Sequence, residues 1–350
     1  MKRILNRDSR IELLRILGML MIIQSHFYIY GNWSGTQTLN PKNTVKILAL
    51  DGLGPVGAII FFIITGYFAN LFLDFQSDLK KAKRKAFNTW KKTFTYSVVI
   101  TIIFIAIGVN VKLEELIIAF LPFTLGEYWF ISCYILLIIF SPFINILLSN
   151  LSNKQLKILN ILLFLPQVLM LANNSCVSKF ILAISGYIIG ATIRIKKSEF
   201  INIKAHNYII LMLLIYAFEL CSVYFSRLLG TRFEHSAHFT EDVPAYIIAI
   251  CIFVLFLKFP TFHSKIINLL ALGSFAAYLI TEQIVFRKIL WTQIVNASGV
   301  QNSPYLYLFS LSTVVVIYVI CSLFDLFISY LCLLIKRLFC SYFKGDRTVH

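Results

Sequence analysis

Long apolar runs recur along most of this chain of 350 residues. A run of roughly 20 apolar residues is long enough to cross a lipid bilayer as a helix. With 59% hydrophobic and 14% charged residues, the chain has too little polar surface to cover a water-soluble fold. The sequence therefore predicts an all-α polytopic membrane protein that uses lipid as the solvent for most of its surface.

The length of the apolar runs predicts about ten transmembrane helices in a single integral membrane domain, residues 1–350. The first run lacks a small-residue cleavage site, so we expect it to remain as the first helix rather than leave as a signal peptide. The predicted spans are residues 11–30, 53–73, 93–110, 128–148, 156–172, 178–194, 207–225, 243–257, 266–286 and 304–333.

Basic residues outnumber acidic ones by 32 to 16, which gives a formal net charge of +16. Topology explains such an excess, because the cytoplasmic loops of membrane proteins are enriched in Lys and Arg. If ten spans follow a cytoplasmic N-terminus, every inner segment carries several of these residues, above all the stretch 80–92. We therefore predict that both termini are cytoplasmic, and we expect no nucleic-acid partner.

Two ionisable residues, Arg15 and His26, lie within the first predicted span. The pattern of Ser9 followed by Glu12 is typical of a capping box and predicts that the helix begins there. Eleven residues of helix make about three turns, or about 16 Å, so Arg15 and His26 point the same way at different depths. Such groups are costly in lipid and normally face a polar cavity. The alternative is that each side chain reaches the headgroups at its own end of the helix.

The first span also carries a pattern of residues known from one family. The stretch 11–15, which ends in Arg15, with ten residues between Arg15 and His26, resembles the Arg-x10-His signature of the acyltransferase-3 family of integral membrane O-acyltransferases. The blocks at 54–68, 128–143 and 274–280 are similar to the second, fourth and a late helix of that family, in the same order. The resemblance is to the type that O-acetylates cell-surface polysaccharides, and it implies about ten spans with His26 as the catalytic residue.

The resemblance further implies a phosphate-binding motif in a cytoplasmic segment. Relatives often keep Arg-x-x-Arg there, and this chain has Lys81 and Arg84 at that spacing, with Lys83 and Lys85 beside them. We predict that these four residues bind acyl-coenzyme A through its phosphates, Arg as a bidentate fork and Lys as a point charge. The alternative is that they only fix the topology.

Five further residues are candidates for lining the substrate channel. Many relatives have His in the late helix where this chain has Thr281, and the next residue, Glu282, could supply a polar group from that place. The favoured interpretation of Glu282 is nevertheless a carboxylate at the outer interface. The candidate channel residues are Glu12, Tyr128, Trp129, Ser132 and Glu282.

Together these features imply transfer of an acyl group, expected to be acetyl, from acyl-coenzyme A to a sugar hydroxyl of a cell-surface polysaccharide or its lipid-linked precursor. His26 is the predicted general base, since imidazole can exchange a proton near neutral pH, and Arg15 is predicted to act with it. We expect a bacterial multi-pass cytoplasmic membrane protein that contacts membrane lipid, with no permanently bound cofactor, and whether it forms a homo-oligomer stays open.

Two other interpretations concern metal binding and a different class of function. His235 and His238 lie three residues apart near acidic residues and could be a metal site, but the favoured interpretation is a solvated loop near the acceptor entrance. The cysteines show no metal-ligand spacing, so we expect no metal. A polysaccharide-lipid transporter or polymerase would share the many spans and the basic balance. It would also spread polar residues over several helices or, for a polymerase, carry a large outer loop. A signalling or structural membrane protein is a third alternative.

Overall fold

The computed structural model describes residues 7–33, 45–47, 49, 53–71, 74–169, 176–229 and 243–345. Within these ranges the chain is helical and contains no strand. The prediction of an all-α fold is therefore confirmed.

The α-helices follow one another with short connections over much of the described chain. Their bounds are α1 (Ser9–Ile29), α2 (Leu53–Tyr67), α3 (Phe75–Ala106), α4 (Leu113–Phe120), α5 (Trp129–Asn150), α6 (Asn153–Leu169), α7 (Cys176–Ile195), α8 (Lys197–Asn202), α9 (Ala205–Leu228), α10 (Val243–Lys258), α11 (Lys265–Leu270), α12 (Ser274–Thr281), α13 (Ile284–Ile289) and α14 (Leu306–Gly345). Short 3-10 turns cover Ala271–Gly273 and Ala297–Val300, and a π-helical turn covers Leu290–Ile294.

Five of the described helices, α1, α5, α7, α9 and α14, are long and apolar enough to cross a membrane. A sixth candidate is a bent pair, Lys265–Thr281 with Ile284–Val300. The apolar helices α2 and α10 are shorter, at 15 and 16 residues. The described part of the chain thus has five or six helices able to span a bilayer, and the ten spans with cytoplasmic termini stay a prediction.

The predicted span 266–286 is wrong as a single helix, because the chain bends by 80° between Thr281 and Ile284. Gln283 has an extended backbone, and its side-chain Oε1 accepts hydrogen bonds from the backbone N–H groups of Val285 and Phe286. Such a cap satisfies donors that the first turn of a helix leaves unpaired. The cap therefore starts a new helix in a new direction, and apolar periodicity does not reveal it.

The predicted capping box at the start of α1 is also wrong. The N-cap is Asp8, whose carboxylate accepts from the backbone N–H of Arg10 at 3.1 Å. The Ser9 hydroxyl instead donates to Asn268 at 2.8 Å. Glu12 turns its carboxylate toward Arg15, which donates to it. Both side chains of the sequence pattern thus have other partners, Ser9 in the distant helix α11 and Glu12 one turn along its own helix.

Helix α1 lies inside the bundle and packs against α2, α10, α12 and α14. Its contact with α2 is close because Gly18 and Gly57 face each other, and a Cβ on Gly57 would overlap the backbone oxygen of Gly18. By contrast, most side chains of α9 and α14 are not buried, as expected for helices that face lipid. The polar residues of α1 therefore face the protein interior.

Candidate active site

His26 lies in the last turn of α1 and is buried. Its Nε2 lies 3.0 Å from Oε2 of Glu282, the residue that ends α12 at the bend. The two side chains are only 10% and 6% exposed. Water therefore screens this contact only weakly.

The second oxygen of Glu282 is held by two donors. Tyr30 donates its hydroxyl to Oε1 at 2.7 Å, and Nη1 of Arg287 donates to the same oxygen at 3.0 Å. Arg287 also donates to the Tyr30 oxygen at 3.1 Å and stacks 4.6 Å from the centre of its ring. Glu282 is therefore enclosed by Arg287, Tyr30 and His26. Its place at the outer membrane interface stays a prediction.

Glu127, just before α5, places a second carboxylate in this cluster. Its Oε1 lies 3.3 Å from Nη1 of Arg287. Burial raises the pKa of the Glu127 carboxyl to about 7, with Arg287 lowering it and Glu282 adding to the rise. Arg287 is therefore shared between two carboxylates. We call His26, Tyr30, Glu127, Glu282 and Arg287 the His26 cluster.

The other ring nitrogen of His26, Nδ1, faces away from this partner. It is buried and has no hydrogen-bond partner within the described residues, and the same holds for the hydroxyl of Tyr278. The rings of His26 and Tyr278 are 6.1 Å apart, and Tyr128 lies 6.0 Å from Tyr278 on its other side. Buried polar atoms normally have partners, so unpaired atoms here are places where a bound substrate can donate or accept.

A cavity of about 660 Å³ extends from the N-terminal end of α1 into the bundle. Glu12 and Arg15 line it from α1, and Lys85 lines it from α3. Its wall also includes Phe130, whose ring is 5.5 Å from that of Tyr278. The cavity therefore brings Arg15 and one predicted acyl-coenzyme A residue together, and an aromatic contact joins its wall to the neighbourhood of His26.

Two smaller cavities adjoin the first along α3. One, of about 540 Å³, is lined by Lys81, Arg84, Lys85 and Lys92, among others. The other, of about 240 Å³, is lined by Asp78, Asn145 and Tyr187 together with Lys81 and Lys85. We call them the basic cavity and the Asp78 cavity.

Lys85 lines all three cavities, and its ammonium lies 5.2 Å from the centre of the Tyr134 ring. Three of the four predicted phosphate ligands, Lys81, Arg84 and Lys85, thus face a cavity. Lys83 is exposed and lines none of the three. On an α-helix, residues 81, 84, 85 and 92 share a face, and residue 83 points away from it.

Comparison with known proteins identifies the family. A family model described as an acyltransferase domain matches residues 8–323. The chain belongs to the acyltransferase-3 family. The matched range contains the whole His26 cluster and every residue that lines the three cavities except Arg7, and the predicted resemblance is confirmed. No curated protein and no solved structure matches this acyltransferase significantly.

The remaining predicted channel residues of the acyltransferase lie close together around the start of α5, but none of them lines a cavity described above. Tyr128 lies beside Tyr278 and donates its hydroxyl to the carbonyl of Leu279 at 3.2 Å. Trp129 stacks with Lys179 at 4.8 Å, and Ser132 donates to the carbonyl of Tyr128 within its own helix. Neither Trp129 nor Ser132 lines any of the three cavities.

Sequence reasoning missed several polar residues of the acyltransferase. Tyr30, Glu127 and Arg287 belong to the His26 cluster, and Lys92 lines the basic cavity while pairing with Asp325 at 2.7 Å. Arg287 and Asp325 both fall inside or beside apolar runs, where ionisable residues are rare. That rarity was a usable signal for both, whereas nothing in the sequence indicated which carboxylate Arg287 contacts.

The described residues of the acyltransferase contain no group of three or more His, Cys, Asp or Glu side chains placed to hold a metal ion. His235 and His238, which the sequence raised as a metal site and favoured as a solvated loop, lie outside the described residues.

Proposed function

We propose that this acyltransferase moves an acyl group, acetyl in the first instance, from acyl-coenzyme A to a sugar hydroxyl of a cell-surface polysaccharide or its lipid-linked precursor. The supporting observation is the buried 3.0 Å contact between His26 and Glu282 in a chain of this family. A histidine held by a carboxylate is a general arrangement for activating a hydroxyl group.

In the proposed reaction the unpaired Nδ1 of His26 accepts the proton of the sugar hydroxyl. The sugar oxygen forms a bond to the thioester carbonyl carbon, and the carbon–sulfur bond then breaks. The proton passes from His26 to the leaving thiolate of coenzyme A. Glu282, whose Oε2 lies 3.0 Å from Nε2 of His26, would stabilise the imidazolium between these two transfers through its charge, so the step needs no metal or bound cofactor.

The donor is proposed to enter at the cavity end of the bundle. The phosphates of acyl-coenzyme A would contact Lys81, Arg84 and Lys85, because these cations line the basic cavity. The acyl arm would extend through the larger cavity past Arg15 toward Phe130. This assignment keeps three of the four residues predicted from the sequence and drops Lys83.

The proposal includes the membrane arrangement predicted from the sequence. Ten spans with both termini inside would put the basic cavity on the cytoplasmic side, where coenzyme A is available, in the bacterial cytoplasmic membrane. Charged residues in the stretch 80–92 support this orientation. The acceptor would then approach from the opposite side, past the His26 cluster.

The experiment incubates membranes that contain the protein with radiolabelled acetyl-coenzyme A and measures label in the polysaccharide and lipid-linked fractions. We expect label that depends on the wild-type protein and is absent from membranes with an equal amount of the His26→Ala protein. Wild-type membranes that transfer no label to either fraction would overturn the proposal.

A further inference from the structure

We infer that the Asp78 cavity is a binding site for the adenine base of the donor nucleotide, an inference that rests on the proposed use of acyl-coenzyme A. At about 240 Å³ the cavity is smaller than a typical pocket for a drug-sized ligand. It is therefore suited to one aromatic base rather than to a whole nucleotide.

Two buried side chains on neighbouring helices hold the Asp78 carboxylate in place. Asn145, which is 6% exposed, donates its amide Nδ2 to Oδ2 of Asp78 at 2.7 Å. Tyr187, which is 2% exposed, donates its hydroxyl to Oδ1 of Asn145 at 2.7 Å. Two buried side chains from α5 and α7 thus fix one acceptor on α3, and a fixed acceptor loses little entropy when it binds a donor.

The charges around the cavity leave Asp78 available to a ligand. Lys81 and Lys85 line the same cavity, yet within the described ranges neither forms an ion pair with Asp78. The carboxylate is also only partly buried. A ligand that brings an N–H group beside an anionic group would therefore satisfy the carboxylate and the lysines together.

Adenine attached to phosphates has this chemistry. Its exocyclic amine can donate a hydrogen bond to a carboxylate, and its flat face stacks on aromatic side chains. The cavity offers Phe68, which is 53% exposed, as an uncovered ring, with Ala82 and Ile138 as apolar walls. Guanine and hypoxanthine carry a carbonyl oxygen where adenine has the amine, so they could meet the Asp78 carboxylate only through N1–H, in a pose that shifts the base relative to the phosphates.

The order of the cavities agrees with the order of groups in acyl-coenzyme A. Lys81 lines both the Asp78 cavity and the basic cavity, and Lys85 lines these two and the large cavity. In the donor, adenine is joined through ribose to the phosphates, and the phosphates are joined to the acyl-bearing arm. Base, phosphates and arm can thus occupy three adjoining spaces that share one lysine.

The test compares adenosine 3′,5′-bisphosphate with inosine 3′,5′-bisphosphate as competitive inhibitors of acetyl transfer from acetyl-coenzyme A. The two nucleotides have the same phosphates and differ at the exocyclic group of the base. We expect wild type to bind the adenosine compound about tenfold or more tightly, and Asp78→Ala to lose that preference. Tyr187→Phe, which releases Asn145, should reduce the preference by a smaller factor.

Glu199→Ala is the matched control, because it removes a carboxylate that is 65% exposed and lines none of the three cavities. This variant should keep the wild-type preference. Equal inhibition of wild type by the two nucleotides, no inhibition by either, or an unchanged preference in Asp78→Ala would each overturn the inference. Transfer from acetyl-coenzyme A by the uninhibited enzyme tests the proposed function separately.

Discussion

The His26 cluster and the cavity wall of α3 use charge in opposite ways. In the cluster each charged side chain is mostly buried and touches a named partner, as His26 and Arg287 both do with Glu282. Along α3 the cations Lys81, Arg84 and Lys85 are exposed and face open cavities. The first region is fixed by contacts within the protein, whereas the second leaves its cations open to an anionic ligand.

This difference predicts different responses to mutation. Removing one charged side chain of the His26 cluster leaves its partner buried without a compensating charge, so the loss of activity should be large. Removing one of several exposed cations leaves the others to attract the same anion, and solvent screens the change. Single substitutions in the His26 cluster should therefore lower kcat. Single substitutions along the cavity wall of α3 should instead raise the KM for acetyl-coenzyme A.

The largest effect is expected for His26→Ala. Loss of a general base lowers the rate by about a hundredfold to ten-thousandfold, and the apolar replacement makes the helix easier to insert. Label transfer from radiolabelled acetyl-coenzyme A should fall to background at an unchanged level of protein in the membrane. Activity within a few-fold of wild type would contradict the assignment of His26 as the base.

The next effect is expected for Glu282→Gln, which keeps the shape of the side chain and removes its charge. The lost charge-assisted contact corresponds to about a tenfold to hundredfold fall in kcat. The KM for acetyl-coenzyme A should stay within about twofold, because the proposed phosphate site lies on α3, away from Glu282. An equal change in kcat and KM, or a lowered melting temperature in detergent, would indicate a structural role instead.

A matched pair on α3 tests the cavity wall. Lys85→Gln should raise the KM for acetyl-coenzyme A by about tenfold, since Lys85 lines all three cavities, with little change in kcat. Lys83→Gln changes charge on the same helix but faces no cavity, so its KM should match wild type. Steady-state kinetics at saturating acceptor separate the two outcomes. Equal KM values for the two variants would indicate that the basic residues of the stretch 80–92 only fix the topology.

The smallest effect concerns the edge of the His26 cluster at Glu127. Burial raises the pKa of this carboxyl from its ordinary 4.5 to about 7, so the folded state binds a proton that the unfolded state has released between those values. Stability therefore falls as pH rises from about 4.5 to about 7, and glutamine removes this dependence. The melting temperature of Glu127→Gln relative to wild type should rise between about pH 5 and pH 8. A difference in melting temperature that does not change with pH would contradict the raised pKa of Glu127.

Some of these features were readable from sequence for physical reasons. The all-α fold followed from apolar runs, because lipid forces backbone groups to pair within a helix. Arg15 and His26 stood out because ionisable side chains are costly inside an apolar run. The Arg-x-x-Arg-like spacing of Lys81 and Arg84 pointed to the cavity wall of α3, although it also brought in Lys83, which lines none of the three cavities.

Other features depended on contacts between distant parts of the chain, and only the tertiary structure decided them. The bend after Thr281 depends on the cap that Gln283 provides, and the bend in turn brings Glu282 to His26 in α1. The Asp78 cavity likewise needs Asn145 and Tyr187 from two other helices. A one-dimensional pattern reports which side chains one helix presents on a face, whereas the partner of a buried charge is set by the packing of several helices at once.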